Sequence, residues 1–228
     1  MLIYAHRGAS ADFAELTERA YRGAVEQGAD GFECDLRLSR DEVPVLWHNA
    51  SMLERAGNSG LIAEMNFRDI KIAYPQVLTL DDFLDIALES RRGVLIETKH
   101  PVISGNRVEE ILVEKILDRK ILDLIPLSVM SFSWSAIEKV KRLNSSIPTT
   151  FLMSNRTLWP QVRFSSAQSM GPGIETLRGN TELANKLRKL GKALYTWTVD
   201  CREDIEFCRE LGVEIIITNT PAQARTFL

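Results

Sequence analysis

Apolar and polar positions along the chain switch between a period of two and a period near 3.6, and the switches predict strands alternating with helices. Leu2 to Ala5 is a short apolar run ending in His6-Arg7-Gly8, and Thr17 to Gln27 carries Ala20, Ala24 and Val25 at helical spacing before stopping at Gly28. Phe32 to Leu38 alternates as a half-buried strand, Asp41-Glu42 marks a turn, and Val43 to Trp47 is a strand running into His48. Asn49 to Leu78 breaks the rhythm. It holds two glycines, Gly57 and Gly60, a short Phe67 to Ile72 segment and Pro75, and reads as an inserted loop with little structure of its own.

Regularity resumes at Thr79, an N-cap for a helix from Leu80 to Ser90, followed by a strand from Gly93 to Lys99. The theme then repeats: helix Arg107 to Ile121, strand Leu127 to Phe132, helix Ser135 to Asn144, strand Thr149 to Met153. Asn155 to Gly179 is irregular with a short strand near its middle. Helix Glu182 to Leu190, strand Ala193 to Val199, helix Arg202 to Leu211, strand Val213 to Thr218 and a short closing helix complete the chain. About eight such units predict an α/β fold, a parallel sheet closed as a single-domain (β/α)8 barrel rather than an open doubly wound sheet.

A length of 228 residues suits one such barrel, and 45% hydrophobic with 26% charged residues is ordinary for a chain with a sizeable core. The net charge of −3 leaves no positive field to gather nucleic acid, so any phosphate handled is small. No window approaches 18 consecutive apolar residues, which argues against integral membrane association. Met1 to His6 lacks a basic and apolar leader, so no signal peptide is expected. Cys34, Cys201 and Cys208 are odd in number and lack CxxC spacing; neither a disulfide framework nor zinc is signalled, and a cytoplasmic location is inferred. Oligomeric state leaves no trace in the sequence.

Candidate chemistry gathers at the C-terminal strand ends, where a barrel carries its site. Glu33 and Asp35, one residue apart on a strand, point to the same side with Cβ atoms roughly 6.6 Å apart, close enough to share a cation. Cys34 between them must face away as a small buried hydrophobe. Taken alone, the pair reads as two solvated acids on a surface strand, and its neighbours are what point to a site. His6 and His48 close the strands that flank it, and two histidines on opposite sides of a reacting bond make a general acid and base. Glu97 and Lys99 repeat the one-residue spacing. Glu97 offers a third oxygen ligand, a set suited to a hard cation, Mg²⁺ or Ca²⁺, more than to zinc. Arg7 and Lys99 supply positive charge for an anionic substrate. His100, before Pro101, reads as a loop residue without a role.

These residues fall within an ordered set of motifs. His6-Arg7-Gly8, Glu15 with Thr17, Gly28 to Asp35, Val45 to His48, Leu53-Glu54-Arg55, Gly57 to Gly60, Leu78 to Leu80, Glu97 to Lys99, Trp197 to Asp200 and Ile217 to Pro221 resemble the glycerophosphodiester phosphodiesterase family, in order from Tyr4 to Pro221. The resemblance implies a TIM barrel with a small insertion after the second strand, residues 49–78. It implies hydrolysis of glycerophosphodiesters, its small-molecule partners, to glycerol 3-phosphate and an alcohol. Carried over residue by residue, His6 and His48 are the acid and base. Glu33, Asp35 and Glu97 are the metal ligands, Arg7 and Lys99 contact phosphate, and Phe132 and Trp197 line the substrate pocket.

The chain departs from the family pattern in three places. Ala14 and Leu16 replace a proline and an asparagine, Asn49 replaces an aspartate beside His48, and Asn219 replaces an aspartate near the last strand. These changes bear on the histidine's pKa, on metal affinity and on the substrate's non-phosphate portion. Two rivals follow: a phospholipase D-like enzyme acting on lysophospholipid, and a catalytically silent barrel that binds a phosphorylated ligand.

Overall fold

Runs rich in Val, Ile and Leu become strands buried on both faces, because each packs helices outside and barrel side chains inside. The computed structural model describes residues 1–228. β1 (Leu2–His6), β2 (Gly31–Leu38) and a short β3 (Pro44–Leu46) are joined through α1 (Glu18–Glu26), which Thr17 caps by accepting from the Ala20 N–H. α2 (Leu53–Ala56) and α3 (Phe67–Ala73) follow, then α4 (Leu80–Ser90), whose Thr79 and Asp82 form a reciprocal capping box. Beyond it lie β4 (Gly93–Thr98), α5 (Arg107–Asp118), β5 (Leu127–Ser131), α6 (Trp134–Leu143) and β6 (Thr149–Met153). The last third contains α7 (Trp159–Phe164), β7 (Ser169–Pro172), α8 (Ile174–Gly179), α9 (Glu182–Lys189), β8 (Ala193–Thr196), α10 (Arg202–Glu210), β9 (Ile215–Thr218) and α11 (Pro221–Thr226).

Eight of these strands pair in parallel in the order β1, β9, β8, β7, β6, β5, β4, β2, and β2 returns to β1, closing a TIM barrel. The ninth, β3, is antiparallel to β2 and stands above the rim. The predicted strand from Val43 to Trp47 is therefore a hairpin arm on β2. Inside the barrel Tyr4, Leu95, Met130, Leu152, Ile215 and Ile217 form a small core. Tyr4 fits because Gly31 leaves room: a Cβ there would stand 2.2 Å from the ring. Two larger clusters lie between sheet and helices. In the first of them Phe83 of α4 tilts against Tyr21 at 4.8 Å and Phe32 at 6.3 Å between ring centroids.

Two segments differ from their predicted character. Residues 49–78 are not a loose loop. They carry α2, a 3₁₀ turn at Ile62–Glu64 and α3, and they bury Met52, Ile62, Ile70 and Val77 against Val45 and Trp47 as a separate small core. The fully buried side chains are scattered over short pieces and the turns between them, so no period shows in the sequence. Arg55 stacks over Trp47 and Tyr74, 4.9 Å from each centroid, and donates to the Glu15 carbonyl, tying this lobe to the barrel. Residues 155–179 likewise hold two short helices, α7 and α8, around the expected β7. No helix is long and apolar enough to cross a membrane.

Candidate active site

Glu33 and Asp35 share one face of β2, and their neighbours follow from strand register. β1 places His6 opposite Glu33, and β4 on the other edge places Glu97 opposite Asp35. Beyond Glu33, the edge that β1 leaves is taken by β3, with Leu46 opposite Leu36. Trp47 then donates its N–H to the Asp35 carbonyl at 3.0 Å. His6 thus climbs to the carboxylates, and His48 descends to them, along one edge of β2. The acids are only 2% and 1% exposed, so β2 is not the half-solvated strand that its alternation suggests; its polar positions point into the barrel mouth.

One oxygen from each of Glu33, Asp35 and Glu97 lies within 4.8 Å of the others. Asp35 is flanked by cations, Arg7 Nε at 2.9 Å and Lys99 Nζ at 2.9 Å, and Lys99 also reaches Glu97 Oε1 at 2.7 Å. Both Asp35 oxygens are at ion-pair distance from these cations, yet neither they nor Arg7 Nε is in a well-aligned hydrogen bond. Burial and the Asp35 charge push Glu33 well above the ordinary carboxyl range and Glu97 up to about 7. Burial pushes Asp35 the same way, but Lys99, Arg7 and His48 together outweigh it and hold Asp35 low.

The loop after β1 is strained to aim Arg7. Arg7 sits at φ +58°, a left-handed conformation that costs of order 1 kcal/mol or more. Its N–H reaches the Glu33 carbonyl at 3.1 Å, and its own carbonyl accepts from the Leu16 N–H at 2.9 Å. Gly8 follows at φ +85°, where a Cβ would fall 2.6 Å from Ala20, so only glycine fits between this loop and α1. Glu15 accepts from Arg7 Nη1 at 2.8 Å and holds the far end of the guanidinium.

Each histidine is oriented by an asparagine. His6 Nδ1 lies 2.7 Å from Asn219 Oδ1, and His48 Nδ1 lies 2.8 Å from Asn49 Oδ1. The amide of Asn219 donates to Asp200 Oδ2 at 2.6 Å and that of Asn49 donates to Glu54, so each amide oxygen faces its ring. Both rings therefore carry hydrogen on Nδ1 and leave Nε2 free. Burial lowers the pKa of both, most directly assisted at His6 by Arg7; at His48 Asp35 opposes the fall. Sequence reasoning flagged Asn49 and Asn219 as departures but missed that they keep the hydrogen bond while removing its charge. It also missed Glu54 and the support that Glu15 gives Arg7. The adjacency of His48, Asn49 and, five residues beyond Asn49, Glu54 was the available signal. His100 stands apart, bonded at 2.8 Å to the buried Glu109.

His6, Arg7, His48, Lys99, Phe132 and Trp197 line one pocket of about 280 Å³ with Glu33 and Glu97. Asp35 reaches it only through its contacts with Arg7 and Lys99. Phe132 and Trp197 make an edge-to-face wall, 5.4 Å between centroids at 87°, and the indole N–H is engaged by the Gly171 carbonyl at 2.8 Å. Three buried carboxylates without histidine or cysteine among the donors, and with Asp35 oxygens lacking aligned hydrogen bonds, fit a hard divalent cation.

A closed barrel thus brings paired histidines, an acid triad and two cations to one mouth. The chain belongs to the glycerophosphoryl diester phosphodiesterase family, whose model matches residues 6–223. Over 99% of its length it is 33% identical to the Mycobacterium tuberculosis protein named "Probable glycerophosphodiester phosphodiesterase 1", of which 92% is covered. A glycerophosphodiester phosphodiesterase of Thermotoga maritima superposes with TM-score 0.86 at 21% identity, covering 100% of this chain and 98% of that one. An Oleispira antarctica phosphodiesterase solved with the product sn-glycerol-3-phosphate superposes with TM-score 0.90 at 19% identity, covering 100% and 96%. These two likenesses concern the barrel itself.

Proposed function

We propose that the protein hydrolyses glycerophosphodiesters to sn-glycerol 3-phosphate and an alcohol, in a reaction that depends on a divalent cation and uses His6 and His48 as general acid and base. The observation that carries this reading is the meeting of two histidines, two buried acids and two cations in one pocket, with Asp35 behind the cations as the third acid of the triad. Glu33, Asp35 and Glu97 would hold Mg²⁺ or Ca²⁺, which when bound neutralises charge on the phosphoryl oxygens. Arg7 and Lys99 hold the phosphate: Arg7 through its planar fork, Lys99 as a point charge on its flexible stem. One histidine takes the proton from the attacking oxygen, either water or a neighbouring substrate hydroxyl, as the new bond to phosphorus forms. The other, acting from its imidazolium form with a second proton taken from solvent on Nε2, gives that proton to the alcohol oxygen as the old bond breaks. Phe132 and Trp197 pack against the substrate and keep water away from its carbon skeleton.

The acting unit is the whole barrel, residues 1–228, with 49–78 as an insertion. Three unpaired cysteines support a reducing, cytoplasmic setting. A silent phosphate-binding barrel would have no use for two histidines held with Nε2 free. The test is release of glycerol 3-phosphate from glycerophosphocholine and glycerophosphoethanolamine by chelated protein, before and after adding Mg²⁺ or Ca²⁺. Metal-restored release is expected; no release under any of these conditions would refute the reading.

A further inference from the structure

A second cavity, about 370 Å³, opens beside the catalytic pocket and shares Lys99 with it. Its walls come from the end of β2 at Leu36 and Leu38, from Leu61 to Ala63 in the insertion lobe, and from Pro101 to Ser104 between β4 and α5. Apolar side chains dominate it, and Ile103 stands 81% exposed. The turn from His48 to Ala50 separates the two spaces, with His48 facing the pocket and Ala50 the cleft. Arg37 also lines the cleft. Its Nε and Nη2 donate to the His48 carbonyl at 2.9 and 2.8 Å, while Asp35 and Glu97 act on it only through space. An aliphatic cleft with two cationic groups suits an amphiphile that carries an anionic head and an apolar chain.

We propose that this cleft is the subsite for an apolar chain on the alcohol side of the phosphodiester, a reading that rests on the hydrolase function proposed above. A glycerophosphodiester carries two substituents on phosphorus. Glycerol brings hydroxyls, and burying them is costly unless they find new partners. The pocket offers His6, His48, Glu33 and Glu97 beside its apolar wall, whereas nine of the cleft's thirteen lining residues are hydrophobic and its two cations, Arg37 and Lys99, are already engaged by the His48 carbonyl and by Asp35 with Glu97. Glycerol therefore takes the pocket, and with phosphate at Arg7 and Lys99 the other substituent passes His48 into the cleft.

The test is a series of n-alkyl esters of sn-glycerol 3-phosphate from ethyl to octyl. In the wild type, kcat/KM rises about two- to fourfold for each methylene that enters the cleft. In Ala63→Asp and Ile103→Asp, both outside the buried cores, the octyl-to-ethyl ratio falls toward one. A 1-acyl glycerophosphoethanol, with its chain on glycerol, shows no such gain. A flat wild-type series, an unaltered ratio in both variants, or an equal gain from the acyl chain on glycerol would overturn the proposal. If no diester is hydrolysed at all, the hydrolase reading fails instead. Calorimetry with butyl and octyl phosphate then tests the cleft alone: tighter octyl binding in the wild type but not in Ala63→Asp supports it, and equal affinities refute it.

Discussion

His6 and His48 owe their state to neutral neighbours. The amide oxygen on each Nδ1 draws a second proton only weakly, less than a carboxylate would, and burial outweighs it and favours the neutral form. A lowered pKa means that the form able to accept a proton persists to lower pH, so the ascending limb of kcat/KM falls below the ordinary 6.5. In Asn49→Asp an anion replaces the amide, the imidazolium is favoured, and the limb belonging to His48 moves up by about one pH unit. A pH–rate profile of the two proteins checks this; superimposable profiles would contradict it. His6→Ala and His48→Ala each lower turnover at least about 10²-fold with an unchanged melting temperature, whereas near-parental rates in both would remove the acid and base assignment. At this scale the clustering of the charged groups was legible, because strand spacing alone sets Glu33 with Asp35 and Glu97 with Lys99. The contacts that tune them were less so, since Asn219 and Asp200 meet His6 only through the closure of the barrel.

Among the elements, legibility followed periodicity. α4 is readable from end to end because Thr79 caps it and Leu80, Phe83, Leu84 and Ala87 repeat at helical spacing on its buried face. α7 and α8 have six residues each, too few for a period to emerge, and α2 and α3 hide for the same reason. β3 falls where the apolar run from Val43 to Trp47 predicts a strand, and its antiparallel pairing with β2 makes it a hairpin arm. Packing at these elements predicts stability. Phe83 is fully buried among aromatic rings, so Phe83→Ala costs about 3–5 kcal/mol in a urea titration; a loss below about 1 kcal/mol would mean that this core is not as described.

For the whole molecule, closure of eight parallel strands gathers residues from both ends of the chain into one low-dielectric mouth, and the acids there carry a cost that a cation would relieve. Glu97, raised to about 7 from an ordinary 4.5, keeps a proton in the folded protein that the unfolded chain has lost. Without a cation, stability therefore falls as pH rises from 4.5 toward 7. Cation binding displaces that proton, so the gain in melting temperature from Mg²⁺ or Ca²⁺ grows over the same window. Thermal melts with chelator and with metal at several pH values check the sign, and a gain independent of pH would contradict it. The central claim, that the acid triad holds a cation on which hydrolysis depends, is tested most directly by titrating Mg²⁺ or Ca²⁺ into chelated wild-type protein and Asp35→Asn while following glycerol 3-phosphate release. The wild type should recover saturable activity and the variant remain at least about 10²-fold below it at every metal concentration; coincident titration curves would contradict the account.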